Sequence, residues 1–310
     1  MSIVTVTMNP AIDISTHVAR VVSTHKLRCT TVRRDAGGGG INVARVVKRL
    51  GGDVRAVYPI GGPIGELLVR LVRAEGIESE TVPVADDTRQ SFTVDEDDTG
   101  EQYRFVLPGP ELSESEWRQC LAAVARLPTP EFLVLSGSLP VGIPDEFFAA
   151  MAHDAKARGV KVIVDTSGPA LAAVLEEGVF LIKPNLRELQ DYVGSAIEGR
   201  KGWLAASRRL VDEGRAEVVA LTLGHRGGLL AMRQQAVFAP VLPVKPVSAV
   251  GAGDSFVAAM VWSLAEGHSI EDAFRYGMAA GSAALLSPGT ELCNADDVQR
   301  LYSQVNLEPL

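Results

Sequence analysis

The sequence predicts an α/β protein in which a mostly parallel central sheet is covered by helices on both faces. Two observations support this prediction: strand-like runs alternate with helical patterns along most of the 310 residues, and the strand-like runs are almost continuously apolar. Apolar strands of that kind are typical of a sheet with two buried faces. The clearest strand candidates are residues 54–60, 132–136, 160–165, 180–182 and 218–223, and the clearest helix candidates are residues 41–50, 64–75, 144–157, 200–213 and 254–266.

Two segments, residues 14–35 and 88–107, interrupt this alternation. The first contains short β-prone pieces, and the second predicts a hairpin around the polar turn at residues 95–100. Together they form either a lid, a small second sheet that excludes water from a ligand site, or a surface hairpin without a role in function. The free strand edges of a lid favour pairing with a second copy of the chain. No linker divides the sequence, so we expect one domain over residues 1–310.

Composition argues against several classes of protein. The formal net charge is −8 and no basic block offsets it, which argues against a nucleic-acid binder. Cys29, Cys120 and Cys293 are far apart and odd in number, so they predict neither a disulfide framework nor a zinc site and favour a reducing cytoplasm. Nowhere do 18 apolar residues follow one another, so we expect no membrane span.

Residues 247–256 contain the first candidate for chemistry: an apolar stretch, two glycines, and then a helix with an aspartate in its first turn. Bare amides and the positive end of a helix dipole attract an anion. In a catalytic interpretation, Gly251, Ala252 and Gly253 hold the charge of a transferred phosphoryl group, and Asp254 accepts the proton of the attacking hydroxyl. In a structural interpretation, Asp254 only caps the helix. The motif alone leaves both open.

A second glycine cluster, Gly37 to Gly40, again leads into a helix. The glycines leave the backbone bare for a ligand, and Asn42 offers a donor and an acceptor to sugar hydroxyls. The alternative is a flexible turn before an amphipathic helix. Neither glycine cluster has the spacing of a dinucleotide fingerprint or of a P-loop.

Three further positions follow strand candidates, and each has two interpretations. Asp13 can accept hydrogen bonds from two vicinal hydroxyls or can simply close a turn. Asn185 and Glu188 can hold a hydrated magnesium ion near phosphates or can form a capping box at a helix start. The run from Thr222 to Gly228 can face a nucleotide or can form a tight hairpin.

In their order and spacing, these motifs resemble the ribokinase-like sugar kinases of the PfkB family over essentially the full chain. The resemblance is strongest to the ATP-dependent 6-phosphofructokinase branch. It is carried by Asp13 and by residues 26–30, 37–45, 88–90, 100–106, 136–140, 183–188, 222–224 and 250–256.

The resemblance implies a three-layer α/β/α fold with a small β-sheet lid, and it implies a role for each site residue. It makes Asp254 the general base and makes Gly251, Ala252 and Gly253 the anion hole. The implied sugar contacts are Asp13, Gly38, Gly39 and Asn42, with Arg89 and Ser138 on the sugar phosphate. The implied nucleotide contacts are Lys26, Lys183, Asn185, Thr222 and Gly224, and Glu188 is implied to hold Mg²⁺ through water.

The implied activity is phosphorylation of fructose 6-phosphate by ATP at the 1-hydroxyl, in a homodimer joined through the lid, with Mg²⁺ and, as in some relatives, a monovalent cation. A tagatose-6-phosphate kinase or a 1-phosphofructokinase is the near alternative, although this chain has four glycines, Gly37 to Gly40, where those relatives read Gly-Gly-Lys-Gly. The distant alternative is a non-catalytic sensor that binds nucleotide or sugar phosphate. Two further departures from the relatives are Ser91 in place of asparagine and Glu291 in place of arginine.

Overall fold

Fourteen strands and ten α-helices form the computed structural model, which describes residues 2–310. The strands are β1 Ile3–Val6, β2 Ala11–Val18, β3 Val32–Gly37, β4 Val54–Ile60, β5 Glu78–Pro83, β6 Arg89–Glu96, β7 Gln102–Val106, β8 Phe132–Ser136, β9 Lys161–Asp165, β10 Val179–Ile182, β11 Ala216–Thr222, β12 Gly228–Ala231, β13 Ala236–Ala239 and β14 Glu308–Pro309. The helices are α1 Gly39–Arg49, α2 Gly62–Ala74, α3 Glu114–Arg126, α4 Phe147–Ala157, α5 Gly168–Glu176, α6 Leu186–Val193, α7 Gly199–Asp212, α8 Ala252–Ala265, α9 Ile270–Ala284 and α10 Ala295–Tyr302.

The main sheet has ten strands in the order β14-β13-β12-β11-β10-β9-β8-β1-β4-β5. The strands from β11 to β5 in this order are parallel, whereas β12, β13 and β14 are added antiparallel at one edge. The carboxyl ends of β8, β9, β10 and β11 therefore meet along one rim. Ligands of such sheets bind outside that rim.

Apolar side chains of alternating strand residues fill two cores, one on each face of the sheet. In β8, Phe132 and Val134 point into the core beneath α1, α2, α8, α9 and α10, and Leu133 and Leu135 point into the core beneath α3 to α7. The result is the predicted three-layer arrangement, with helices on both faces. Because both sides are buried, the strands contain the continuous apolar runs that predicted them.

A second sheet, with strand order β3-β2-β6-β7, lies apart from the main one. Strand β2 pairs in parallel with β6 and antiparallel with β3, and β6 and β7 form the predicted hairpin. The register places Asp13 opposite Ser91 and Thr93 opposite Arg104. Since cross-strand partners share a face of a sheet, these four side chains lie on the same side.

The predicted helices are present, with ends that differ by at most three residues, but the apolar stretch before Gly251 is not a strand. Its Val247 N–H donates to the carbonyl of Leu285 in the loop after α9, and residues 240–249 run as an irregular connection. No helix within residues 2–310 combines the length and the apolar character that crossing a lipid bilayer requires.

The close packing of α1 on β1 generates a stability prediction. A Cβ at Gly40 would lie 2.5 Å from the carbonyl oxygen of Val6 and 2.6 Å from Oγ1 of Thr7. Because backbone cannot yield as a side chain does, we expect Gly40→Ala to lower the free energy of unfolding by about 1–3 kcal/mol, measured by chemical denaturation. The control is Gly202→Ala, whose Cβ would lie 3.2 Å from a methyl group of Ile197 and 3.9 Å from its backbone carbonyl carbon. Equal stability of the two variants would contradict this packing.

Candidate active site

A cleft with a volume of about 270 Å³ opens between the carboxyl rim of the main sheet and the second sheet. It is lined by Asp13, Gly38, Gly39, Asn42, Arg89, Ser91, Phe92, Thr93, Arg104, Phe105, Val106, Gly137, Val250, Gly251, Asp254 and Thr290. Both glycine clusters and most of the predicted sugar-binding residues therefore meet in one cavity. Ser138 follows Gly137 and accepts a hydrogen bond from Asn9 at 3.2 Å.

Helix α8 begins at the wall of this cleft. Its N-cap, Gly251, has a left-handed backbone with φ of 71°, and a Cβ there would overlap the side chain of Leu292. No side chain within residues 2–310 caps the helix, so the amides of its first turn, which includes Ala252 and Gly253, are bare. Glycine is thus required at residue 251 by both conformation and space, and the resulting helix start is suited to an anion.

Asp254 lies in that first turn and lines the cleft. Its Oδ2 accepts a hydrogen bond of 2.8 Å from Nδ2 of Asn42. Burial raises the pKa of Asp254 to about 6; the negative charge of Asp165 adds to the rise, and the Asn42 hydrogen bond and Lys183 oppose it. A carboxylate with a pKa near the operating pH is well suited to accept a proton.

Asp13 faces Asp254 from the second sheet. Burial raises the pKa of Asp13, and the positive charges of Arg89 and Arg104 lower it. Its carboxyl group lies against Gly37, where any Cβ would overlap it. The carboxylate is therefore held at the base of the lid by a neighbour that must be small.

Arg89 and Arg104 bring positive charge to the lid side of the cleft. Arg89 is held by the carbonyl oxygen of Asn9 at 3.1 and 3.3 Å and by that of Leu107 at 3.2 Å. Arg104 was not among the predicted contacts, although the sequence contained a signal for it: in a hairpin, alternation places it on the face of Thr93, the face that also carries Arg89. The two guanidinium groups form a candidate site for a phosphate.

Lys183 is buried directly behind the helix start of α8. Its Nζ pairs with Oδ1 of Asp165 at 3.0 Å, and a Cβ at Gly253 would contact that Nζ at 3.5 Å. Burial lowers the pKa of Lys183, but the charges of Asp165 and Glu188 outweigh it, so the net shift is upward and the side chain is an ammonium. The sequence prediction missed Asp165, because this residue belongs to no motif and is simply the last residue of a strand.

Asn185 and Glu188 form the capping box that was one of the two predicted alternatives. Glu188 N donates to Oδ1 of Asn185 at 2.9 Å, and Asn185 N donates to Oε2 of Glu188 at 2.8 Å. Oε1 of Glu188 accepts no hydrogen bond from residues 2–310. The same carboxylate can therefore cap the helix and still offer one oxygen to a hydrated Mg²⁺, an ion that needs few protein ligands when phosphates supply the rest.

The remaining nucleotide candidates lie at two separate places. Thr222 ends β11 and bridges to Asn185, and Gly224 begins a short 3₁₀ turn directly after it, so both lie at the same rim as Lys183. Lys26 lies in an exposed segment of residues 19–31 and does not line the cleft. The cleft is thus lined by seven of the predicted site residues, and Lys183, Asn185, Glu188, Thr222 and Gly224 lie further along the same rim. The seven are Asp13, Gly38, Gly39, Asn42, Arg89, Gly251 and Asp254.

Comparisons with known proteins agree with this geometry. The model of the pfkB family carbohydrate kinases matches residues 6–297. The ATP-dependent 6-phosphofructokinase isozyme 2 of Mycobacterium tuberculosis H37Rv is 46% identical over 301 residues, which cover 97% of this chain and 88% of the relative. The 1-phosphofructokinase of Bacillus subtilis is 33% identical over 308 residues, which cover 99% of this chain and 100% of the relative.

Among solved structures, the phosphofructokinase-2 from Escherichia coli in complex with substrates and products superposes with a TM-score of 0.94 at 42% identity, covering 98% of this chain and 99% of that one. The predicted ribokinase-like fold, with its large mostly parallel sheet and smaller separate sheet, is thereby confirmed. The chain belongs to the pfkB family of carbohydrate kinases, and it is a phosphotransferase with an alcohol group as acceptor.

Proposed function

We propose that this kinase transfers the γ-phosphoryl group of ATP to the 1-hydroxyl of fructose 6-phosphate and yields fructose 1,6-bisphosphate and ADP. The cleft carries the proposal, because the carboxylate of Asp254 and the bare start of α8 face the arginine pair Arg89 and Arg104 across it. An acceptor that bears its own phosphate uses that pair, since guanidinium groups bind phosphate oxygens with charge-assisted hydrogen bonds. The name of the M. tuberculosis relative supports the same substrate.

At the reacting end, ionised Asp254 accepts the proton of the sugar hydroxyl as the hydroxyl oxygen bonds to the γ-phosphorus. The bond between that phosphorus and the bridging oxygen breaks, and its electron pair leaves with ADP. Gly251, Ala252 and Gly253 supply the amides and the dipole that hold the charge of the moving group.

At the acceptor end, the residues divide between hydroxyls and phosphate. Asp13 accepts hydrogen bonds from sugar hydroxyls, and Asn42 together with the backbone of Gly38 and Gly39 completes their contacts. Arg89, Arg104 and Ser138 bind the 6-phosphate. With the phosphate fixed at the lid, the other end of the sugar reaches Asp254, which selects the 1-hydroxyl for reaction.

At the nucleotide end, Lys183, Asn185, Thr222 and Gly224 follow neighbouring strands along the rim and bind ATP. Lys183 is a buried cation beside the anion hole, suited to the phosphates. Glu188 would hold Mg²⁺ through water, and the ion, when bound, neutralises phosphate oxygens. Lys26 reaches the nucleotide only when the lid or a second subunit brings it there.

A monovalent cation stays a prediction from the resemblance to sugar kinases. The loop that would hold it carries Glu291, whose carboxylate pairs with Arg33 of β3. This pair joins the loop to the second sheet. A cation bound in this loop would therefore affect activity through the contact between the lid and the loop beside the start of α8.

The choice among sugar phosphates is tested by comparing kcat/KM for three acceptors. We expect fructose 6-phosphate to exceed tagatose 6-phosphate and fructose 1-phosphate by at least about tenfold, the range that pocket contacts commonly supply. A preference for fructose 1-phosphate would instead match the B. subtilis relative. Binding of sugar phosphate and nucleotide without ADP formation would identify a non-catalytic sensor and reject the proposal.

The role of Asp254 is tested by Asp254→Asn, which keeps the size of the side chain but cannot accept the proton. We expect kcat to fall by about 10²–10⁴-fold, the usual contribution of a general base, with little change in the KM for the sugar. Since burial disfavours the ionised carboxylate, the variant should unfold at an equal or higher temperature. Near-native turnover in this folded variant would refute the assignment.

The second sheet also supports the proposal of a homodimer joined through it. Several large apolar side chains of the lid region are more than a third exposed, among them Val22, Leu27, Val32, Phe105 and Leu107. Exposed apolar side chains on and beside a small sheet with free edges favour contact with a second copy. In such a dimer the lids cover each other's outer faces, and Lys26 comes near the partner's cleft.

The dimer is tested by Val32→Asp, which places a charge on the lid at a side chain that is 57% exposed. We expect this variant to sediment as a monomer at micromolar concentration, because burying an unpaired carboxylate in an interface is costly. The control is Val141→Asp, at a valine that is 64% exposed outside the lid, which should remain dimeric. If both variants sediment alike, the lid is not the interface.

A further inference from the structure

Arg45 is the largest side chain that is almost fully buried, with 1% of its surface exposed. It lies on α1 and was assigned no role in the reaction. Its Nε donates to Oε1 of Glu75 at 2.6 Å, its Nη1 donates to the carbonyl oxygen of Ala36 at 2.7 Å, and its Nη2 lies 3.5 Å from Oδ1 of Asp35. A buried guanidinium is costly unless its partners are fixed, so its neighbours show what it does.

One of those neighbours is the site residue Asn42, one helical turn before Arg45 on the same face of α1. Nη1 of Arg45 donates to Oδ1 of Asn42 at 3.4 Å, and Nδ2 of Asn42 donates to Oδ2 of Asp254 at 2.8 Å. The amide of Asn42 is thus held between a cation and a carboxylate, one at each end.

The chemistry of these neighbours fixes the orientation of the amide. A guanidinium has only donors, and an ionised carboxylate has only acceptors. With its amide reversed, Asn42 would turn its NH₂ group toward Arg45 and its oxygen toward Asp254, and both hydrogen bonds would become repulsive contacts. Arg45 therefore excludes the orientation in which Asn42 cannot donate to Asp254.

We propose that Arg45 is a positioning residue of the phosphoryl-transfer site, which acts by fixing the amide of Asn42 so that Asn42 orients and stabilises the ionised carboxylate of Asp254. This inference rests on the proposed role of Asp254 as the base. The other charged groups that face Asp254 are Asp165 at the end of β9, Lys183 after β10 and Asp13 on β2.

A purely structural role is the competing explanation, because Arg45 also ties α1 to α2 and β3 through Glu75 and Asp35. Arg49 provides a matched control one turn further along α1. It pairs with the same Glu75, at 3.2 Å, and donates to the carbonyl oxygens of Glu291 and Cys293, but it makes no contact with Asn42. Loss of either arginine weakens the same ion-pair network, and only loss of Arg45 releases Asn42.

The test compares Arg45→Lys with Arg49→Lys in the pH profile of kcat/KM, which reports the free enzyme. Lysine keeps the charge but cannot reproduce the fork of donors. A hydrogen bond donated to the ionised form lowers a carboxylate pKa. Losing it therefore moves the acid limb to higher pH, from the position that the Asp254 pKa of about 6 predicts for the native enzyme. We expect a shift of about 0.5–1 unit and a several-fold lower kcat in Arg45→Lys only. The sugar phosphate also ionises in this pH range, but its pKa is the same for every variant, so it does not affect the difference between their profiles.

The double variant Asn42→Ala/Arg45→Lys shows whether the effect passes through the amide. If it does, Arg45→Lys adds no further shift to that of Asn42→Ala; an additive shift overturns the proposal. An unshifted limb in Arg45→Lys, or an equal shift in Arg49→Lys, also overturns it. Near-native turnover in Asp254→Asn would instead refute the assignment of Asp254 as the base, on which this inference rests.

If Arg45→Lys does not fold, the proposal can be tested on the native protein. Neutron diffraction from deuterated crystals locates the amide deuterons of Asn42. We expect both on the nitrogen that faces Asp254, with the oxygen toward Arg45. The reversed amide overturns the proposal.

Discussion

The hydrogen bond between Asn42 and Asp254 joins the two helix starts on which the site depends. Helices α1 and α8 both begin at the carboxyl rim of the sheet after a glycine cluster, and this bond crosses between them, 212 residues apart in sequence. The glycines at each start bring the backbone close to a ligand, and the side chains a few residues later meet in the cleft. If the two helices moved apart, the acceptor contacts would separate from the base.

The electrostatics of the cleft are a balance that no single residue sets. Asp13, Asp165 and Asp254 put three carboxylates around a site that must bind phosphates, which are anions themselves. Burial of Asp254 and the negative charges of Asp165 and Asp13 raise its pKa to about 6, against the opposing effects of the Asn42 hydrogen bond and Lys183. On the lid side, Arg89 and Arg104 act in the same sense on Asp13. Each cation thus has two effects: it lowers the pKa of a neighbouring carboxylate, and it contributes positive electrostatic potential that attracts a phosphate.

The sequence predicted the parallel core well and the periphery poorly, for identifiable physical reasons. Strand β4 was predicted over its full extent because it is a long apolar run buried on both faces. Helix α9 was missed because Gly277, Gly281 and the alanines around them blur its periodicity, although small residues are what lets it pack on α8. The two-residue β14 has no pattern to detect. Within the site, motif residues were found, whereas Asp165 was not, since its importance comes from Lys183, 18 residues further along the chain, folding back beside it.

The structural and catalytic interpretations of each motif are compatible, because a helix start and an anion site need the same groups. Asn185 and Glu188 form a capping box, yet Oε1 of Glu188 remains available to an ion. Asp254 lies in the first turn, where a carboxylate favours the helix dipole, but its Oδ2 turns to Asn42 and not to a first-turn amide. The amides that it leaves bare are those that can hold a phosphoryl group. At this site, then, Asp254 does not cap α8, and its carboxylate accepts a hydrogen bond from Asn42 of α1 instead. The first-turn amides of α8 are therefore available to bind the transferred phosphoryl group.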